Sequence, residues 1–292
     1  MNRLLPMAER AASTSPERFH AFSFVDRIVA HTPGRAARGR FHIPAHLATF
    51  PQCLVAEAVG QLAAWVSMAH IDYRGRPVAG IAAETIFHGT ALPGQMLELE
   101  IAIESCDDQA VFYDGRAWIG EARVLELNHC VGPMLPMTDF DDPAAVRADF
   151  ETLITQGKEP GAFRGVPAFD VETASHDPGR SLAARLSVPS AAPFFGDHFP
   201  RKPVFPGTLL LETQMQLALA LAHETTPAAV HALLRPHRVT NVKIRSFIAP
   251  GTAVDLQADA RAGEPRTFDL AARVDGRNIA AARVELVDGV AG

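Results

Sequence analysis

The sequence predicts an α+β fold built twice on one chain: a long buried helix set against an antiparallel sheet, then a second copy of the same unit. Two observations carry this. The chain repeats itself in order, and each repeat holds one helix that is apolar almost all round, followed by segments in which apolar and polar residues alternate. Pro33-Gly34-Arg35 and Pro178-Gly179-Arg180 lie at an offset of 145, which Ile43-Pro44 and Val188-Pro189 share. FPQCLVAEAVGQLA from Phe50 then matches FPGTLLLETQMQLA from Phe205 at an offset of 155. ETIFHGTALPGQMLELEI from Glu84 parallels TNVKIRSFIAPGTAVDLQA from Thr240. Asp114-Gly115-Arg116 matches Asp275-Gly276-Arg277, and Ala122-Arg123-Val124 matches Ala282-Arg283-Val284.

The elements follow in order. A short strand-like segment precedes a helix that runs from Pro51 to about Met68 and carries Leu54, Val55, Ala58, Val59, Leu62, Trp65 and Val66. Residues this apolar on every side belong to a helix buried on most faces. Leu97, Leu99, Ile101 and Ile103 alternate as a half-buried strand does. Asp114-Gly115 is expected to turn a hairpin. The stretch from Thr138 to Arg164 is polar and bounded by proline, with a short helix starting at Asp142-Pro143. In the second copy a helix begins at Pro206-Gly207, where proline is well tolerated, and carries Leu209, Leu210, Leu211, Met215, Leu217, Leu219 and Leu221. Val242 and Ile244 continue into a strand, and Asp275-Gly276 is a second expected hairpin. The units are expected at residues 15–137 and 163–292, joined by a linker over 138–162.

Composition narrows the class. The 292 residues are 48% hydrophobic and 21% charged, with a formal charge of −6. That is a globular composition, and it gives no basic bias toward nucleic acid or an anionic membrane. The chain has no apolar run of the roughly 18 residues that a membrane-spanning helix needs. The N-terminus, MNRLLPMAERAASTSPERF, is too broken by charge for a secretory leader. Cys53, Cys106 and Cys130 form an odd set without paired spacing, as expected of reduced thiols in a cytoplasmic protein. His129-Cys130 lacks further ligands at zinc spacing.

The segment PFFGDHFPRKPVFPGTLLLETQMQLA, residues 193–218, carries the chemistry. It resembles the active-site segment of the beta-hydroxyacyl-(acyl carrier protein) dehydratases: His198-Phe199-Pro200, Pro203, Pro206-Gly207, then Glu212 and Gln216 on a helix. FVDRIVAHTPG is similar to that family's N-terminal strand, so the resemblance reaches both halves. It implies a hotdog fold, here as a fused double hotdog whose two sheets join edge to edge, where the family usually has one hotdog per chain and dimerises. It also implies dehydration of 3-hydroxyacyl thioesters to trans-2-enoyl thioesters, in fatty acid or polyketide-type synthesis, with no metal and no redox cofactor.

That reaction removes a C2 proton and expels a C3 hydroxyl. A neutral imidazole suits the first step and an acid the second. A backbone N–H at a helix N-terminus suits the charge that develops on the thioester oxygen. The resemblance gives these roles to His198 as base and Gly207 as donor, with Phe199 and Pro206 beside the substrate. In the family the His and the acid of one site come from two subunits. Carried to a fused pair, His198 therefore faces the acid of the other repeat, Glu57, which shares the 155 offset with Glu212. The passage between Val188-Pro189 and Phe205-Pro206 is ten residues longer than its counterpart in the first repeat, and the extra segment includes the His-bearing loop. One working site and one degenerate site, at Glu212, follow. The first repeat has lost, or never had, that loop; His42 and His46 lie nearby at the wrong spacing from Pro51, and Gln61 and Gln216 are expected to bond the backbone or the neighbouring glutamate.

The implied partner is an acyl carrier protein bearing the acyl chain on phosphopantetheine, or coenzyme A. Arg201, Lys202, Arg235, His237, Arg238, Lys243 and Arg245 could dock an acidic carrier or be ordinary exposed charge. A monomer or a homodimer would suffice. Two rivals remain: a hotdog thioesterase, and a non-catalytic acyl-binding partner subunit. Isomerisation of the enoyl product by the same base is left open.

Overall fold

A computed structural model describes residues 19–288. Residues 15–18 and 289–292 of the expected units, and most of the N-terminal stretch weighed against a secretory leader, lie outside the described residues. The first repeat runs β1 (Arg27–Thr32), β2 (Ala36–His42), α1 (Gln52–His70), β3 (Gly75–Pro77), β4 (Ile81–Phe87), β5 (Met96–Cys106), β6 (Ala110–Ile119) and β7 (Ala122–Pro136). The connector contains α2 (Pro143–Thr155). The second repeat runs β8 (Asp170–Asp177), β9 (Ser181–Ser187), α3 (Gly207–Thr225), β10 (Leu234–Ile244), β11 (Ala253–Ala260), β12 (Thr267–Val274) and β13 (Arg277–Asp288).

The strands form one antiparallel sheet in the order β1-β2-β5-β6-β7-β4-β10-β13-β12-β11-β9-β8, with β3 paired to β7 off this path. The second half repeats the order of the first in reverse. The halves meet where β4 pairs β10, and there Glu84 stands directly opposite Thr240. These are the first residues of the two matching segments, so the pseudo-twofold relating the repeats passes through this pair.

α1 packs on the strands of the first repeat and α3 on those of the second. α1 buries Leu54, Val59, Leu62, Ala63 and Val66 to 1% exposure or less, each worth about 1.5–3 kcal/mol of hydrophobic burial for the larger side chains. α3 buries Leu209, Leu210, Met215, Ala218 and Leu221 to 2% or less. Both helices start one residue after a proline, Pro51 and Pro206, with no side-chain cap. α2 is capped by Asp142, whose carboxylate accepts the Ala144 N–H at 2.8 Å. Its Val146, Phe150 and Leu153 are buried, and Phe163 beyond it packs edge-on against Phe24 at 4.9 Å. The connector thus completes the core of the first half. Among the described residues no helix is long and apolar enough to cross a membrane.

One expected turn is displaced. Asp275-Gly276 does turn the β12–β13 hairpin, with φ of 48° and 75°, as a type I′ turn requires. Asp114-Gly115 instead lies inside β6, where the register slips between Tyr113 and Gly115. A Cβ on Gly115 would stand 2.2 Å from Val59 Cγ1. The glycine there answers to the close approach of α1, not to a turn. The β6–β7 hairpin turns at Gly120-Glu121, between the paired Ile119 and Ala122.

Candidate active site

The chain between β9 and α3 is held by its own apolar residues. Phe194, Phe195, Phe199, Val204 and Phe205 are each 7% exposed or less, so this loop is anchored as firmly as a core element. The backbone folds back on itself, with the His198 N–H donating to the Phe194 carbonyl at 2.8 Å. His198 Nδ1 lies 3.3 Å from the Val204 carbonyl. A carbonyl can only accept, so Nδ1 carries the proton and Nε2 keeps its lone pair. Phe199 stacks on the imidazole at 4.2 Å and 22°, and Phe22 meets it edge-on at 5.3 Å. Burial pushes the His198 pKa below the ordinary imidazole value; Arg76 adds to this, while Glu57 and the Val204 carbonyl oppose it.

His198 and Glu57 line one cavity of about 250 Å³, together with Gly207 and Phe199. Glu57 comes from α1 of the first repeat and points to the start of α3 in the second. Thr208 Oγ1 donates to Glu57 Oε2 at 2.8 Å, and Gln61 Nε2 donates to Oε1 at 2.9 Å. Gly207 is the first residue of α3, so its N–H has no intrahelical acceptor; a Cβ there would stand 2.4 Å from Ile244 Cδ1. Pro206 is buried and is not among the residues lining the cavity; it sets the start of the helix. The cavity continues along α1 past Gly60, Ala64 and Met68, with Tyr113 and Cys130 on the facing strands.

Glu212 stands apart. It lines a separate apolar pocket with Pro51, Val166, Phe169 and Leu209, and no histidine is among that pocket's described lining residues. Its Oε2 accepts the Cys53 N–H at 3.3 Å in the first turn of α1, and Gln216 Nε2 donates to Oε1 at 3.0 Å. The contact mirrors the Glu57–Thr208 one, because Cys53 and Thr208 share the 155 offset. The loop from β2 to α1 in the first repeat is short and brings no histidine to that pocket.

Sequence reasoning missed a strap over the cavity. Residues 19–24 are gripped by three side chains. Asp197, beside the histidine, accepts the N–H groups of Phe19, Ala21 and Phe22 at 2.9, 3.1 and 2.9 Å. Gln61 accepts from the Phe24 N–H and donates to the Phe22 carbonyl. Lys158 donates to the carbonyls of Phe19 and Ser23 and lies 3.7 Å from Asp26. Burial pushes Lys158 down to about 8 and raises both Asp26 and Asp197. Arg76 was also missed: it follows α1 with no motif around it, and only the fold brings it to the cavity.

The basic residues divide. Arg201 pairs with Asp142 at 3.4 Å, and Arg238 pairs with Glu84 across the central strands. Arg235 and His237 face the Phe87 carbonyl. Lys202 lies over the rings of Phe140 and Phe247 at 5.3 and 4.8 Å, and Phe247 lines the cavity while remaining 40% exposed. Lys243 and Arg245 are exposed.

A helix inside an antiparallel sheet, with a histidine loop leading into a second helix, defines a hotdog-fold protein of the dehydratase kind. A family model described as ApeI-like (ApeI dehydratase) matches residues 174–282. The chain is 34% identical over 115 residues to the 3-hydroxyacyl-[acyl-carrier-protein] dehydratase FabZ of Nitrosospira multiformis, covering 38% of this chain and 77% of that one. It is 36% identical over 85 residues to the FabZ of Wolbachia pipientis, covering 28% of this chain and 57% of the relative's length. Among solved structures, an acyl-ACP thioesterase from Bacteroides thetaiotaomicron superposes with a TM-score of 0.53 at 8% identity, over 86% of this chain and 98% of that one, which is a likeness of fold. The chain belongs to the FabZ-type hotdog dehydratase family.

Proposed function

We propose that this protein dehydrates 3-hydroxyacyl thioesters to trans-2-enoyl thioesters, as a double hotdog with one working site. The observation that supports the reading best is that His198 of the second repeat and Glu57 of the first line one cavity at the N-terminus of α3. In this reading His198 Nε2 takes the C2 proton, and the C2–H electron pair becomes the new double bond. The C3–O bond breaks, and Glu57 supplies the proton with which the hydroxyl leaves as water. The Gly207 N–H and the positive end of α3 stabilise the charge on the thioester oxygen. Thr208 and Gln61 hold the Glu57 carboxyl in place. The units are residues 15–137 and 163–292, with the connector 138–162 between them. The acyl group arrives on the phosphopantetheine of an acyl carrier protein, and Lys202, Lys243 and Arg245 are the exposed cations available to an acidic carrier.

Incubating the protein with a panel of 3-hydroxyacyl carrier proteins and coenzyme A thioesters, and weighing the products, tests the reading. Loss of one water from the acyl group is the expected result. Release of free thiol without dehydration would replace it with the thioesterase reading.

A further inference from the structure

We propose that Gly60 is a specificity-determining residue: with the Tyr113 hydroxyl it forms the neck of a channel along α1, which admits 3-hydroxyacyl chains of medium length as well as the shortest ones. This rests on the reading of His198 as base and Glu57 as acid. The observation behind it is which face of α1 the protein leaves uncovered. Between Cys53 and Met68 every residue of the helix is buried except Ala56, Glu57, Gly60, Gln61, Ala64 and Trp65. These recur at helical spacing on one face, and all of them line the cavity that holds His198. Glu57 stands near the N-terminal end of that face. Met68, on the cavity wall as well, lies about 16 Å further along the helix axis.

Gly60 follows Glu57 by about one turn. Glycine inside a helix is less favourable than alanine, because it loses more backbone freedom on folding. Helix formation therefore does not explain it. Its backbone is helical and has no positive φ, so no left-handed conformation calls for glycine. Close packing does not call for it either. A Cβ on Gly115 or Gly207 would stand 2.2 or 2.4 Å from a neighbouring side chain. A Cβ on Gly60 would meet, beyond the backbone of its own helix, one atom within 4 Å, the Tyr113 Oη at 3.4 Å. What glycine supplies here is space between α1 and β6. Further along α1 the cavity wall is formed by Ala64, Trp65 and Met68, and the strands contribute Val111, Leu127 and Val131. Walls this apolar suit an alkyl chain.

The pseudo-twofold supplies the comparison. At the offset of 155 the place of Gly60 is taken by Met215, which is 0% exposed. Met215 is not among the described residues lining the pocket beside Glu212. The repeat that carries the histidine thus fills this position with a buried side chain, and the repeat without it keeps the position open. A 3-hydroxybutyryl group has a single carbon beyond C3 and ends before the neck, which lies about 4.5 Å along the helix from Glu57. A 3-hydroxydecanoyl group has to pass between Gly60 and Tyr113, and the burial of its outer carbons is gained only beyond them. The width of the neck therefore sets the relative rates of short and longer chains, and leaves the chemistry they share to His198 and Glu57.

The test compares kcat/KM for 3-hydroxybutyryl and 3-hydroxydecanoyl groups on one acyl carrier protein. It is taken as the ratio of the longer to the shorter, so that a general loss of activity cancels. In the wild type both groups are expected to be dehydrated. Gly60→Met, which copies the other repeat, is expected to lower the ratio by about tenfold or more, the scale on which an apolar pocket discriminates methylenes. Gly60→Ala, whose Cβ makes an ordinary contact with Tyr113 Oη, lowers it by a smaller factor. Tyr113→Phe in that background removes the contacting atom and raises the ratio again. An unchanged ratio in a folded Gly60→Met overturns the proposal. If Gly60→Met does not fold, an unchanged ratio in Gly60→Ala overturns it. So does a wild type that dehydrates the shorter group alone, a result that leaves the functional reading standing. Dehydration of neither group would instead overturn the functional reading, and the neck with it.

Discussion

Replacing each of the two helix glutamates by glutamine separates them. Glu57 accepts from Thr208 on one oxygen and from Gln61 on the other. In Glu57→Gln the amide oxygen can keep the Gln61 bond while the NH2 donates to the Thr208 hydroxyl, which accepts as well as donates. The swap should therefore cost about 1 kcal/mol at most, a few degrees in melting temperature. The protein should still fold. Turnover should fall much further, by about 10² to 10⁴, the usual contribution of a positioned acid or base, or roughly 3–5 kcal/mol of barrier. Glu212→Gln makes a comparable change of chemistry at the matching helix position, but its partner Gln216 is exposed and can turn to water. Its pocket holds no histidine among the described lining residues. It should leave kcat/KM unchanged. Steady-state dehydration of a 3-hydroxyacyl carrier protein, with a thermal melt of each variant, decides the matter. An inactive Glu212→Gln beside an active Glu57→Gln would refute the cross-pairing of the repeats and place the acid in the same repeat as His198.

Three further outcomes follow from the same geometry. Gly115→Ala drives a methyl into Val59 of α1, where the Cβ would stand at 2.2 Å; overpacking of this kind costs about 1–3 kcal/mol, read as a lower denaturant midpoint with an unchanged slope. His198 is held below the ordinary imidazole value of 6.5, so the acid limb of kcat/KM should lie below that pH, and a limb above it would contradict the burial argument. Lys158 is lowered from 10.5 to about 8 in the folded protein, so between those values the unfolded chain binds the extra proton and stability rises with pH. The stability it contributes is present above 10.5, is lost as pH falls through about 8, and is on the order of 3 kcal/mol. Urea titrations from pH 7.5 to 10 should show stability rising with pH in the wild type relative to Lys158→Met, because the thiols of Cys53, Cys106 and Cys130, all raised by burial, lower the stability of both proteins alike.

What could be read from the residues and what could not divide along physical lines. The helices at Pro51 and Pro206 were legible because an all-round apolar helix after a proline has few alternatives, and both begin one residue later than the prolines. That His198 and Glu57 line one cavity could be anticipated only by carrying the family's two-subunit site onto the 155 offset. Asp114-Gly115 misled because a turn glycine and a close-packing glycine look alike in sequence, and only the approach of Val59 tells them apart. Asp197 stood inside the motif already singled out, yet its hydrogen bonds go to Phe19, Ala21 and Phe22, at a separation no local pattern reveals. Arg76 carries no sequence signal of its place in the cavity, since its neighbours there come from the connector and the distant loop.

The pseudo-twofold gives a reason for one site where two are built. It brings each glutamate to the first turn of the other repeat's helix, so Glu57 meets Thr208 and Glu212 meets Cys53. From there the halves diverge. On the Glu57 side Gln61 also bonds the strap at Phe22 and Phe24, and the strap in turn holds Asp197 beside His198. Glu57, the strap and the His198 loop are thus one connected network spanning both repeats. On the Glu212 side Gln216 is exposed, and the position of the strap is taken by the apolar residues Val166 to Phe169. Catalysis there would need a histidine loop and also a polar clamp to fix it. Grafting residues 193–203 alone between Ile43 and Phe50 is therefore expected to yield no second site.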